Sequence, residues 1–168
     1  MAIRVIALSC VVFLVSLIGF AAAMATTADQ CQYVVRVKTG NVDGAGTDST
    51  ISLKLKSQSG DSFTIANLLD WGSMEPGHVY FDRDNLDIFN GRSNCLDVCA
   101  MTVTSSGTGS SPRWYLNYVQ VTVSGPVRAD ISFPVNGWLA EDKPPHSLSA
   151  NVDSCSSFYP LKPALFSV

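Results

Sequence analysis

Beyond residue 30 the apolar residues of this 168-residue chain come in short runs that mostly alternate with polar ones. No window carries an apolar repeat of 3.6 residues over helical length. A period of two sends successive side chains to opposite faces of an extended backbone, so such runs form half-buried strands with one face packed and one wet. Tyr33, Val35 and Val37 alternate with Val34, Arg36 and Lys38, and Ile51, Leu53 and Leu55 alternate more cleanly with Ser52, Lys54 and Lys56. Shorter extended candidates are Ser62 to Ile65, Val79 to Phe81, Leu86 to Phe89 and Cys99 to Thr104. From Trp114 to Val123 the apolar phase switches between Tyr118 and Val119, which predicts a β-bulge. Ile131, Phe133 and Val135 mark a further strand. Gly and Asp between the first two strands, Asn67 to Gly77, and the Gly/Ser stretch Ser105 to Pro112 read as ordered loops. Seven or eight short strands with Gly/Pro punctuation predict an all-β, two-sheet antiparallel sandwich.

The exception to alternation is the start. Arg4 is followed by an uncharged apolar run from Val5, and small residues close it at Ala21 to Ala25. That is the three-part pattern of a signal peptide, with cleavage expected after Ala25 and, as second choice, after Ala23. The alternative is an uncleaved anchor, since Val5 to Ala25 is long enough to span a bilayer. Cleavage leaves 143 residues and, with Arg4 gone, takes the net charge from −3 to −4. The domains expected are residues 1–25 as signal, 31–155 as sandwich and 156–168 as a tail. Location is expected in the secretory pathway, either extracellular or in the endoplasmic reticulum.

With 46% hydrophobic and 15% charged residues the chain can build a core, and no Lys/Arg block suggests phosphate tracking, so nucleic acid is not an expected partner. Cys10 leaves with the signal, and Cys31, Cys95, Cys99 and Cys155 remain. An even number in an oxidising route reads as two disulfides. Cys31 opens the first strand and Cys155 closes the last; if those strands are antiparallel neighbours, Cys31 pairs with Cys155 and Cys95 with Cys99. The alternative is a zinc site using Cys95, Cys99 and His78 or His146.

Catalytic signals are thin. There is no Gly-x-Ser-x-Gly elbow, and His78 and His146 read as solvated loop residues. Asp43, Asp48, Asp61, Asp82, Asp84 and Asp87 sit in or beside loops, where they serve turn chemistry or hold calcium. Trp71, with Leu68 and Leu69, reads either as an exposed tip that enters a membrane interface or as core.

Five separated motifs carry a resemblance: Tyr33-Val34-Val35-Arg36-Val37-Lys38-Thr39-Gly40, Ala45-Gly46-Thr47-Asp48, Phe81-Asp82-Arg83-Asp84-Asn85-Leu86-Asp87, Trp114-Tyr115-Leu116-Asn117-Tyr118-Val119 and Asn136-Gly137-Trp138-Leu139. In that order, and spanning about Cys31 to Cys155, they resemble the PLAT (polycystin–lipoxygenase–alpha-toxin) domain. The four Cys, Asn85 to Arg92 and the signal are similar to the secreted, stand-alone plant branch of stress-related and embryo-specific proteins. The resemblance implies two four-stranded sheets with first and last strands side by side, supporting the Cys31–Cys155 expectation. It implies a binding module for lipid surfaces or proteins, not an enzyme, expected as a monomer. It implies no cofactor beyond a calcium ion on Asp48, Asp82 and the Gly46 carbonyl; Ser111-Pro112-Arg113 replaces the acids usual before the Trp114 motif, and Arg113 would repel a cation. The competing readings are a small enzyme, which a pocket holding His78 or His146 against a carboxylate would favour, and a structural cell-wall or seed protein.

Overall fold

The computed structural model describes residues 30–155; the expected signal segment and the 156–168 tail lie outside them. Eight strands follow in order: β1 (Gln30–Thr39), β2 (Ile51–Ser57), β3 (Ser62–Ile65), β4 (Leu86–Asn94), β5 (Val98–Ser105), β6 (Trp114–Ser124), β7 (Ala129–Leu139) and β8 (Ser149–Asp153). One 3-10 turn, Leu68–Trp71, stands between β3 and β4. The strands form two four-stranded antiparallel sheets, ordered β4-β1-β6-β7 and β3-β2-β5-β8. The expected sandwich is therefore present.

The alternating residues fill the space between the sheets. Tyr33, Val35, Val37, Ile51, Leu53, Leu55, Met101, Val103, Val119, Val121, Val123 and Phe133 are all buried. The phase switch in β6 is a bulge: Lys38 pairs with Tyr118 and Thr39 with Leu116, leaving Asn117 as the extra residue. Buried polar atoms are satisfied. Trp114 Nε1 donates to Thr39 Oγ1 at 3.0 Å, and Tyr33 Oη donates to Asn94 O at 2.7 Å while accepting from Leu96 N at 3.0 Å.

Two expectations are corrected. First, β1 and β8 are not neighbours: β1 lies between β4 and β6, and β8 pairs with β5 in the other sheet. The bridges are Cys31–Cys95 and Cys99–Cys155, with Cα separations of 4.9 and 4.7 Å, not Cys31–Cys155 and Cys95–Cys99. The register gives the reason. Cys31 faces Ser93, so Cys95 falls two residues further on along the same ladder. Cys95 and Cys99 flank the crossover from one sheet to the other, which assigns them to separate bridges, one per sheet. All four Cys are thus consumed, and the zinc alternative has no thiolate to use.

Second, Val79 to Phe81 is a turn, not a strand. Phe81 has φ of +58°, and its ring is buried 5.6 Å from Phe89 and 5.4 Å from Trp114. β8 keeps the period of two over a short span: Ala150 and Val152 pack half-buried on the core while Asn151 and Asp153 are exposed.

The inward and outward phases of β2 generate a stability contrast. Leu53→Ala is expected to cost about 2–5 kcal/mol, from lost transfer energy plus the residual cavity. Lys54→Ala, on the wet face, is expected to change stability by less than about 0.5 kcal/mol. Chemical denaturation of the two variants checks both; equal costs would contradict the register.

Candidate functional site

Three loops meet at the end of the sandwich opposite the disulfides: the β1–β2 loop, the segment before β4 and the β5–β6 loop. They line one open cleft of about 410 Å³ that contains Gly46, Asp48, Asp82, Arg83, Ser110 and Ser111. The structure therefore brings together the three residues expected to hold calcium.

What those residues do there is mutual fastening. Asp48 Oδ2 accepts from Ser110 N (2.9 Å) and Ser110 Oγ (2.6 Å), and Asp48 Oδ1 accepts from Ser111 N (2.8 Å). Gly109, at φ of +102°, lies so close that a Cβ there would come within 2.3 Å of Asp48 Oδ1. Asp82 Oδ1 accepts from Arg83 N at 2.7 Å. The Arg83 guanidinium donates to Asn41 Oδ1 and Asp43 Oδ1, tying the β1–β2 loop to the segment before β4. Arg113, expected to repel a cation, is ion-paired with Asp142, whose carboxyl it holds below the usual range.

This donor set does not fit a resident calcium ion. Calcium takes six to eight oxygens. The cleft offers two carboxylates, of which Asp48 already receives three hydrogen bonds. Among the described residues, no group of three or more His, Cys, Asp or Glu is placed to hold a metal.

The expected lipid tip is also rearranged. Leu68 is fully buried. Trp71 is half-buried, its ring lying on Gly91, where a Cβ would meet it at 2.1 Å, with Tyr33 and Phe63 about it at centroid distances of 6.3 and 6.2 Å. Trp71 thus closes the side of the sandwich between β3 and β4, the core alternative of the sequence reading. Of the three residues, only Leu69 is well exposed, at 46%. Other apolar side chains are exposed on these loops: Val79, 66% exposed, lines the cleft, and Val42, 39% exposed, stands between Asn41 and Asp43 in the loop that Arg83 holds.

Between these loops and the core stands a pair the sequence reading did not anticipate. Asp87 is fully buried on β4, opposite Val37. His78 Nε2 lies 2.6 Å from Asp87 Oδ1, and Phe81 N donates to Asp87 Oδ2 at 2.8 Å. His78 is therefore not a free loop histidine. A His against a carboxylate is the feature an enzyme reading asks for. Here the second carboxyl oxygen is held by the Phe81 N–H, and neither residue lines the loop-end cleft. His146 stays in an exposed loop, its Nδ1 2.8 Å from Glu141 O. A charged residue in phase with Phe89 on one strand was the signal available for Asp87.

The bonds to Asp48 set its titration. The Ser110 hydroxyl and the Ser111 and Ser110 N–H groups lower its carboxyl from the ordinary 3.8 to about 2. A depressed folded value means this fastening contributes fully above the unfolded value and is lost as pH falls through about 2. Carbon-detected NMR titration should place the Asp48 midpoint near 2, and Ser110→Ala should move it upward; a midpoint at 3.8 in the wild type would contradict the fastening.

Comparison with known proteins agrees with this architecture. The PLAT/LH2 domain model matches residues 33–151. PLAT domain-containing protein 2 of Arabidopsis thaliana is 44% identical over 141 residues, covering 80% of this chain and 76% of that protein. PLAT domain-containing protein 3 of the same plant is 46% identical over 104 residues, covering 58% of this chain and all of that protein. Among solved structures, the coral 8R-lipoxygenase superposes with a TM-score of 0.55 at 22% identity, over 73% of this chain and 16% of that one. That likeness is one of fold, to a small part of a longer enzyme. The chain belongs to the PLAT/LH2 domain family, a module that is not itself catalytic.

Proposed function

We propose that this PLAT module is a secreted, monomeric docking domain that settles its loop end on a lipid surface, in a stress or developmental response of a plant. One observation carries the reading: Val79 and Val42 stand exposed on two loops that Arg83 laces together beside the cleft. Apolar tips on a fastened base lose little conformational entropy on entering an interface, so the area they bury is retained as affinity. The net charge of −3 for the full chain, −4 without the leader, gives no general attraction to anionic bilayers, which leaves apolar insertion as the driving term.

Two features favour an ion-independent mode. Asp48 is occupied by Ser110 and Ser111, and Asp43 by the Arg83 guanidinium. The coral 8R-lipoxygenase is activated by calcium through a C2-like domain of that enzyme. In this chain the residues at the loop end fasten each other instead. Secretion is supported by the leader pattern and by two disulfides that suit an oxidising compartment. The plant setting is supported by the Arabidopsis relatives.

Vesicle co-sedimentation tests the reading. The wild type is expected to bind phosphatidylcholine-rich vesicles equally in calcium and in chelator. The Val42→Asp/Val79→Asp variant is expected to bind about tenfold more weakly with unchanged melting. Wild-type protein that ignores vesicles of every composition would overturn it in favour of protein recognition.

A further inference from the structure

The sheet β3-β2-β5-β8 turns one face to the core, and among the described residues no strand covers the other. Register sets the outward residues in rows across the strands. Lys54 lies between Thr64 and Thr102, with Asn151 beyond; Lys56 lies between Ser62 and Ala100, with Asp153 beyond. Ala100, small and buried, stands mid-row and leaves a shallow cavity of about 180 Å³ lined by both lysines, Thr102, Asn151 and Asp153.

This cavity is rich in unspent donors. Lys54 and Lys56 are exposed, and the ion pairs among the described residues involve Lys38, His78, Arg83 and Arg113, not these two. Thr102 Oγ1 donates to Asn151 Oδ1 at 2.5 Å, which leaves the Asn151 amide as a donor. The one carboxylate nearby, Asp153, accepts from Cys155 N at 2.9 Å. Around the cavity the face continues in hydroxyls, with Thr104 and Ser149 hydrogen-bonded to each other across the strands.

The composition selects the occupant. The exposed large apolar residues among those described are Val42, Leu69, Val79 and Leu86, and none is on this face. A bilayer interface takes apolar side chains, single-stranded nucleic acid takes aromatic platforms, and protein interfaces favour aromatic anchors over Lys and Ser. A flat array of ammonium, amide and hydroxyl groups instead complements a chain of hydroxyls that carries carboxylates.

We propose that this face binds an acidic polysaccharide. Lys54 and Lys56 take its carboxylates, and Asn151 and Thr64 hydrogen-bond its hydroxyls. The surface is distinct from the loop end, so it stands or falls independently of the docking reading above.

The test uses the purified protein and sodium polygalacturonate at low salt. Fully methyl-esterified polymer and phosphatidylserine vesicles serve as comparisons. The wild type is expected to bind the acidic polymer, with the ester about tenfold weaker because its carboxylates are gone. Lys54→Gln/Lys56→Gln should weaken polymer binding by about tenfold with melting unchanged, since both side chains are on the wet face. Val42→Asp/Val79→Asp should leave it unaltered. No binding by the wild type, equal binding by the double lysine variant, or equal binding of the ester would overturn the proposal. A lysine variant impaired only on phosphatidylserine vesicles would overturn it too, in favour of an anionic lipid.

Discussion

The loop end of this sandwich depends on one buried carboxyl group. Asp87 sits in the core at a strand position that alternation assigns to an apolar residue, and burial of such a group is costly unless its oxygens are bonded. Here one oxygen receives the Phe81 N–H and the other meets His78. Satisfying Asp87 therefore requires residues 78–81 to fold back over the edge of β4. That return turns Phe81 into the left-handed region and buries its ring against Phe89 and Trp114. It also leaves Val79, between the two partners of Asp87, pointing outward. The exposed tip and the buried group are two sides of one constraint.

The rest of the segment uses the same edge. The bridge between Gly72 and Phe89, and the Ser73 N–H donated to Ile88 O, continue along β4 and cover backbone groups that would otherwise invite pairing by another chain. Trp71 on Gly91 fills the side below them. At the opposite end the two disulfides hold one sheet each, where a native bridge in a small domain contributes about 2–5 kcal/mol. The molecule is thus tied covalently at one end and by polar fastenings at the other, where docking is proposed.

The layers were legible in the sequence because alternation is local: Tyr33 to Val37, Ile51 to Leu55 and the phase switch near Tyr118 each reported their own burial. What failed was non-local. Nothing in the spacing of the cysteines says which sheet each strand joins, so the pairing of Cys31 followed a neighbourhood that the topology does not have. Val79 to Phe81 has strand composition, but its conformation is dictated by Asp87, six residues on. Trp71 could be tip or core by composition; only the bare Gly91 across from it decides. Asp48 and Asp82 line one cleft, yet the serines that occupy Asp48 are 62 and 63 residues away.

Asp87 holds residues 78–81 from within. Hydrogen–deuterium exchange of Asp87→Ala against the wild type tests it most directly, because exchange reports local opening separately from global unfolding. Amides of residues 72–85, the Phe81 amide above all, are expected to lose protection while those of β1 and β6 keep theirs. Unchanged protection across residues 72–85 would contradict it.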